Sequence, residues 1–264
     1  MILAIDIGNT RTTIGFFRRG KLLSEFQLET SSSRTGDELW IFVQECTRHL
    51  GKIPEGIQGI VISSVVPAAT TAFRSMSVKY LKFQPLIVRG DLDLGISVGY
   101  DDPLTVGADR LCAVVAAFAK YGGPAIVVDF GTATTFDAVT KKGEYLGGAI
   151  APGPGTAARA LHDGTAQLPP VDVAFPESVI GTSTPAAIRS GVLFGSLEGA
   201  DGIIRRMKRI VGKHAVVIAT GGYAGIMAEL SHEIRYIEPT LVLEGARLIF
   251  ERVHRPKPAR KSSR

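Results

Sequence analysis

Cysteine and histidine, the residues that build disulfides and most zinc sites, are scarce in this sequence. Cys46 and Cys112 are its two cysteines, and both lie in apolar stretches with helical spacing. We expect them to be small buried hydrophobic side chains rather than a disulfide or a nucleophile. The five histidines include no pair at metal-ligand spacing and have no cysteine nearby, so a zinc site is not expected.

Long hydrophobic runs are also missing. The longest candidates, such as residues 111–119, are too short to span a bilayer. At the N-terminus, Asp6 interrupts the apolar run early and no basic segment precedes that run, which argues against a signal peptide. We therefore expect a cytoplasmic protein with no membrane partner.

Net charge is absent from the body of the chain. The formal charge of +5 comes from the last ten residues, which carry five basic groups and no acid, whereas the rest has 25 basic and 25 acidic residues. A neutral body argues against nucleic acid as a partner. We predict that residues 255–264 form a disordered basic tail.

The sequence does contain the pattern of a soluble α/β protein, with 45% hydrophobic and 21% charged residues and 30 glycines. The first half predicts the element order β-β-β-α-β-α-β. The first of these helices has an apolar face made of Leu39, Phe42, Val43, Cys46 and Leu50. In the second half, Thr184-Pro185 predicts a helix capped by Thr184 that runs to Ile210 with breaks at its glycines.

One short pattern occurs twice. Near the N-terminus an apolar run leads into Asp6-Ile7-Gly8-Asn9-Thr10, and past the middle another leads into Asp129-Phe130-Gly131-Thr132. Glycine lets backbone N–H groups approach an anion, Thr and Asn add donors, and a carboxylate at a strand end can hold a metal ion. Ordinary hairpin turns are the alternative, but the repetition favours two facing turns that form a phosphate and cation cleft.

Four segments together resemble the type III pantothenate kinase family. They are Asp6-Ile-Gly8-Asn9-Thr10, Gly107-Ala108-Asp109-Arg110, Asp129-Phe-Gly131-Thr132-Ala-Thr134-Thr135-Phe-Asp137 and Gly147-Gly148-Ala-Ile-Ala-Pro152-Gly153. This family belongs to the actin, sugar-kinase and Hsp70-like superfamily. The resemblance therefore implies an α/β fold of two related actin-like (ribonuclease H-like) domains with a nucleotide cleft between them, and we assign residues 1–118 and 119–254 to these domains.

The resemblance also implies an activity. Such a kinase uses ATP to phosphorylate pantothenate to 4'-phosphopantothenate, the first step of coenzyme A biosynthesis. It implies magnesium with ATP, a monovalent cation (potassium or ammonium), and a homodimer with the acceptor site near the subunit interface.

Site residues follow from the same resemblance. Asp109 is the implied general base, which suits an alcohol acceptor because an alcohol is a poor nucleophile until its proton is accepted. Asp129 is the implied potassium ligand, and Gly221-Gly222 stands where the superfamily places its adenosine contact. The residues implied to bind ATP are Asp6, Ile7, Gly8, Asn9, Thr10, Arg11, Thr12, Thr13 and Thr132. Those implied to bind pantothenate are Tyr100, Gly107, Ala108, Asp109, Arg110 and Thr184.

One segment departs from the family pattern: Gly181-Thr182-Ser183-Thr184 stands where Gly-Lys-Asn-Thr is common, so the Lys and Asn side chains are missing. Two alternatives stay open. One is a superfamily kinase for another small hydroxyl compound, such as a sugar. The other is a nucleotide-binding regulatory protein without catalysis, since members of this family were also described as accessory factors for gene expression. The presence of Asp6, Asp109 and Asp129 favours an active enzyme.

Overall fold

The computed structural model describes residues 1–51 and 56–255, which form two β-sheets and seven helices longer than one turn. The first half contains β1 (Ile2–Ile7), β2 (Arg11–Arg18), β3 (Lys21–Glu29), α1 (Gly36–His49), β4 (Gly59–Ser64), α2 (Pro67–Met76), β5 (Leu86–Ile87), β6 (Ser97–Val98) and α3 (Ala108–Tyr121). The second half contains β7 (Ala125–Phe130), β8 (Ala133–Val139), β9 (Glu144–Pro152), α4 (Pro154–Asp163), α5 (Thr184–Val211), β10 (Val216–Thr220), α6 (Ala224–Leu230), β11 (Tyr236–Ile237) and α7 (Leu241–Val253). The predicted basic tail lies outside the described residues from residue 256 onward.

The two sheets are built on the same plan. The first has the strand order β3-β2-β1-β4-β5, and the second has the order β11-β10-β7-β8-β9-β6. In each sheet the central strand, β1 or β7, pairs antiparallel with the next strand and parallel with the strand after the helices, β4 or β10. Read in the opposite direction and without the edge strand β6, the second sheet has the order β9-β8-β7-β10-β11, which matches β3-β2-β1-β4-β5 of the first sheet strand for strand. The α/β class with two related domains is therefore as predicted.

Helices α3 and α7 lie between the two sheets and join them. Their buried side chains share one core with Ala4 of the first sheet and Val127 of the second. The helices cross at Gly245, where a Cβ would lie 1.9 Å from the carbonyl oxygen of Cys112, so only glycine fits. The domain boundary predicted at residue 118 falls within α3 and stays a prediction.

Local sequence explains most of these elements. β1 and β7 are almost entirely apolar because both of their faces are buried. The predicted apolar face of α1 packs into the core of the first sheet. This helix begins at a capping box, in which the side chains of Thr35 and Glu38 bond to each other's backbone N–H groups. Both cysteines are buried and free, as predicted.

The helix predicted from Thr184 differs from α5 in two details. Ser183 is the N-cap in place of Thr184, and the helix continues over 28 residues without a break at its glycines. A glycine costs a helix about 1 kcal/mol relative to alanine. Burial of Leu193 and Leu197 against the second sheet supplies enough stability to keep the helix intact. None of the helices within the described ranges combines the length and apolar character needed to cross a bilayer.

Candidate active site

The two Asp-x-Gly turns occupy equivalent places in the two sheets. Asp6 is the last residue but one of β1 and pairs with Thr13 of β2. Asp129 is the last residue but one of β7 and pairs with Thr135 of β8. Each carboxylate thus sits at the carboxyl end of the central strand of its sheet, directly before the glycine turn.

A hydrogen bond joins the two turns directly. The hydroxyl oxygens of Thr10 and Thr132 lie 3.1 Å apart, although 122 residues separate them in the chain. The first turn is closed by the N–H of Gly8, which donates to the carbonyl oxygen of Arg11 at 3.0 Å. Behind the second turn, the hydroxyl of Thr156 in α4 donates to the carbonyl oxygen of Thr132 at 2.6 Å. The predicted facing arrangement is therefore present.

Three carboxylates, those of Asp6, Asp109 and Asp129, lie within electrostatic reach of one another. Burial and then the charge of Asp109 raise the pKa of Asp6 to about 7, although Ser63 donates a hydrogen bond to Asp6 Oδ1 at 3.0 Å. Burial and the charges of Asp109 and Asp137 raise the pKa of Asp129 to about 7. A cation bound among these groups would favour their ionised forms.

The predicted adenosine segment packs against the second turn. Gly221, directly after β10, has φ of +89°, and a Cβ there would lie 2.2 Å from Asp129 Oδ1. Glycine is required at this position for both reasons. The N–H of Tyr223 donates to the carbonyl oxygen of Phe130 at 3.1 Å and holds the segment in place.

The predicted acceptor segment forms the start of α3. Gly107 is the N-cap, Ala108 is buried, and Asp109 is the acid of the first turn, where the helix dipole favours a carboxylate. Asp109 Oδ1 accepts a hydrogen bond from the N–H of Arg110 at 2.8 Å. No hydrogen bond of the described residues engages Asp109 Oδ2, which is therefore available to a bound alcohol.

Arg110 is buried and held by two residues that had no predicted role. Its Nε donates to Asp137 Oδ1 at 2.9 Å, and its Nη2 lies 2.7 Å from the same oxygen. The hydroxyl of Tyr145 also donates to Asp137 Oδ1, at 2.7 Å. Burial alone would lower the pKa of Arg110, but the charge of Asp137 outweighs it and raises that pKa, so Arg110 stays protonated. Spacing along the chain carried no signal for this network, because 27 residues separate Arg110 from Asp137.

Other residues predicted to bind ATP or pantothenate lie behind the first turn, on its surface or at the start of α5. Ile7 and Thr12 are buried, and the Thr12 hydroxyl lies 2.8 Å from that of Thr30, so both support the first turn from behind. Asn9 and Arg11 are exposed at the turn itself. Thr184 begins α5, and no hydrogen bond or ion pair of the described residues joins it to the cleft.

The donors at the cleft suit hard cations. No group of three or more His, Cys, Asp or Glu side chains within the described ranges is arranged to hold a metal ion alone. Carboxylate oxygens with nearby main chain fit magnesium or potassium, which also take ligands from phosphates, carbonyls and water. A cation here would therefore complete its shell with groups from the nucleotide or solvent.

We predict that Asp129→Asn raises the Tm of the ligand-free protein. The rise at pH 8 should exceed the rise at pH 4.5 by at least about 3 °C. Because the folded-state pKa of Asp129 is about 7, above its ordinary value, its ionisation costs stability as pH rises from about 4 to 7 and the full cost remains above pH 7. Thermal unfolding at both pH values measures this, with the exposed Asp101→Asn as control. An equal shift at both pH values would contradict the prediction.

Solved structures of other proteins share this fold. One from Listeria monocytogenes, provisionally named an N-acetylmannosamine kinase, matches with a TM-score of 0.53 at 14% identity, over 95% of this chain and 99% of that chain. Another from Campylobacter jejuni, provisionally named a Baf family transcriptional activator, matches with a TM-score of 0.58 at 19% identity, over 95% of this chain and 98% of that chain. These likenesses establish the two-domain actin-like architecture.

Sequence comparison adds the family. The family model for type III pantothenate kinases matches residues 2–206. A curated relative from Moorella thermoacetica, named type III pantothenate kinase, is 42% identical over 252 residues, which cover 96% of this chain and 99% of that protein. The residues that the family model matches include both turns and the start of α3. The chain belongs to the type III pantothenate kinase family, which carries out the ATP-dependent phosphorylation of pantothenate in coenzyme A biosynthesis.

Proposed function

We propose that Asp109 is the general base of this pantothenate kinase reaction. The observation that supports the proposal is its position: its charge acts on both Asp6 and Asp129, the carboxylates of the two turns. An acceptor held at Asp109 would thus face the place where the turns meet. In this proposal the site binds one acceptor hydroxyl and the phosphates of one ATP molecule.

The chemistry assigns a separate task to each oxygen of Asp109. Oδ1 is engaged by the N–H of Arg110, which fixes the carboxylate, and Oδ2 has no partner among the described residues. The primary hydroxyl oxygen of pantothenate attacks the γ-phosphorus of ATP, the bond to the bridging oxygen breaks, and ADP leaves. The hydroxyl proton passes to Oδ2 as the new O–P bond forms.

The nucleotide belongs at the two turns. Residues 6–13 and Thr132 would surround the phosphates, and Gly221-Gly222 would adjoin the adenosine. The kinase family uses ATP with a divalent metal ion. Magnesium bound beside Asp6 would neutralise phosphate charge, and the raised pKa of Asp6 supports a cation there because ionisation is otherwise uncompensated.

We assign the monovalent cation, potassium or ammonium, to Asp129. Its carboxylate carries a raised pKa, and a Cβ added at Gly221 or Gly131 would lie 2.2 Å or 3.3 Å from Asp129 Oδ1. A potassium ion there would supply a fixed positive charge beside the second turn.

The acceptor contacts are Tyr100, Gly107, Ala108, Arg110 and Thr184. A homodimer would account for Thr184, which no hydrogen bond or ion pair among residues 1–51 and 56–255 joins to the cleft. Val179 and Ile180, shortly before α5, are 62% and 77% exposed. A second copy covering these apolar side chains would put Thr184 near an acceptor site at the subunit interface. We expect this dimer in the cytoplasm.

Asp109→Asn is expected to lower kcat about a hundredfold or more, because the amide cannot accept the hydroxyl proton. The affinity for ATP should stay within about twofold of the unchanged protein, since the turns are intact. Steady-state kinetics and calorimetric titration with ATP measure the two quantities. A kcat near that of the unchanged protein would show that Asp109 is not the base.

ADP release with ATP, magnesium and pantothenate is expected to be at least about tenfold faster in potassium than in sodium buffer, because a raised-pKa carboxylate needs its counter-ion. In Asp129→Asn this dependence should disappear. A coupled ADP assay measures both proteins, with a pantothenate-free reaction as the blank. Equal rates in the two buffers would refute the potassium site while leaving the kinase reaction intact.

A further inference from the structure

The guanidinium of Arg110 is enclosed by the second sheet although Arg110 itself belongs to α3. Asp137 Oδ1 accepts hydrogen bonds from Arg110 Nε and from the hydroxyl of Tyr145. Asp137 Oδ2 accepts a hydrogen bond from the hydroxyl of Thr135 at 3.2 Å. Arg110 is 8% exposed, Asp137 is 1% exposed and Tyr145 is fully buried. This is a charged network inside the protein, and each of its members is fixed by the next.

Two adjacent glycines of β9 make room for the acceptor side chains. Gly148 pairs with Asp137 across the sheet, and a Cβ at Gly148 would lie 1.6 Å from the carbonyl oxygen of Phe136 and 3.0 Å from Arg110 Nη2. A Cβ at Gly147 would lie 3.1 Å from the ring of Tyr100. The two predicted acceptor contacts, Arg110 and Tyr100, thus both lie close to the backbone of this glycine pair.

Tyr145 connects these two contacts. Its ring stacks on that of Tyr100 with 6.2 Å between centroids and 7° between planes. Its hydroxyl meanwhile holds Asp137, which holds Arg110. Arg110 Nη2 is buried and forms an ion pair with Asp137 Oδ1 at 2.7 Å, but its N–H groups make no well-aligned hydrogen bond to the described residues. That nitrogen therefore has N–H capacity left for an acceptor group.

We propose that Asp137 and Tyr145 are positioning residues that aim Arg110 at the carboxylate of pantothenate and so set the preference for an acidic acceptor. The inference rests on the proposed role of Arg110 as an acceptor contact. Asp137 fixes the plane of the guanidinium through Nε and leaves an N–H of Nη2 for the substrate. Because Arg110 also adjoins Asp109, the same network holds the first turn of α3 in register with the second sheet.

The experiment compares pantothenate with pantothenol, its analogue that has the same primary hydroxyl but lacks the carboxylate. The measured quantity is the ratio of kcat/KM for pantothenate to that for pantothenol. We expect Tyr145→Phe to lower the ratio about fivefold, the scale of one ordinary hydrogen bond, because Tyr145 acts on Arg110 only through Asp137. Asp137→Asn should lower it about tenfold or more, with the KM for ATP unchanged in both variants.

A control separates positioning from general loss of stability. Glu233 pairs with Lys208 at 2.7 Å in the second domain, on side chains 16% and 19% exposed. Glu233→Gln breaks this pair and should lower Tm while leaving the ratio unchanged. A ratio that falls equally in Glu233→Gln would mean that the effect in Tyr145→Phe is only structural.

A double variant separates the positioning roles of Asp137 and Tyr145 from the role of Arg110 as an acceptor contact. The double variant Arg110→Gln/Asp137→Asn removes both charges together, so no buried charge is left unpaired. If its ratio stays high, Arg110 does not recognise the carboxylate and the proposed acceptor role fails. If its ratio falls but Tyr145→Phe keeps the ratio, only the positioning inference fails. A rise of the ratio in Asp137→Asn would also overturn it, since Asp137 would then be masking the charge of Arg110.

Discussion

Like charges held close together in a buried cleft are the constraint on which the rest of this structure depends. Asp6 and Asp129 are each the last residue but one of the central strand of a sheet, and burial, followed by the charge of Asp109, raises the pKa of both to about 7. Such an arrangement opposes folding when no cation is present. The surrounding protein must therefore be stable enough to hold it. In the function we propose, magnesium, potassium and the phosphates would balance this charge during turnover.

The repeated architecture meets that requirement. Because five strands of the second sheet repeat the order of the first sheet, the hairpins β1-β2 and β7-β8 present their turns at corresponding edges. The paired helices α3 and α7 then hold the sheets together, with backbones in contact at Gly245. The first turn of α3 brings Asp109 into the cleft, and the buried pair of Arg110 and Asp137 ties that turn to the second sheet. The position of Asp109 thus depends on contacts with both sheets.

The sequence was most informative where a function is encoded within a few consecutive residues. The two Asp-x-Gly turns and the start of α3 were predicted, since strand ends and helix starts have local signals. The network of Arg110, Asp137 and Tyr145 was not, because it forms only through the register of β8 and β9 and the packing of α3 on them. The unbroken α5 was missed for a similar reason: tertiary burial outweighs the local cost of glycine.

We propose that the phosphates of ATP bind between the two turns, in one site that depends on both. A double-mutant cycle on the ATP dissociation constant with Thr10→Val, Thr132→Val and both together tests this claim most directly, since these hydroxyls meet at 3.1 Å. If the turns form one site, the double variant should lose less binding energy than the two single losses added together, by about 0.5 kcal/mol or more. Losses that add within about 0.3 kcal/mol would mean that the turns bind independently, and would contradict the account.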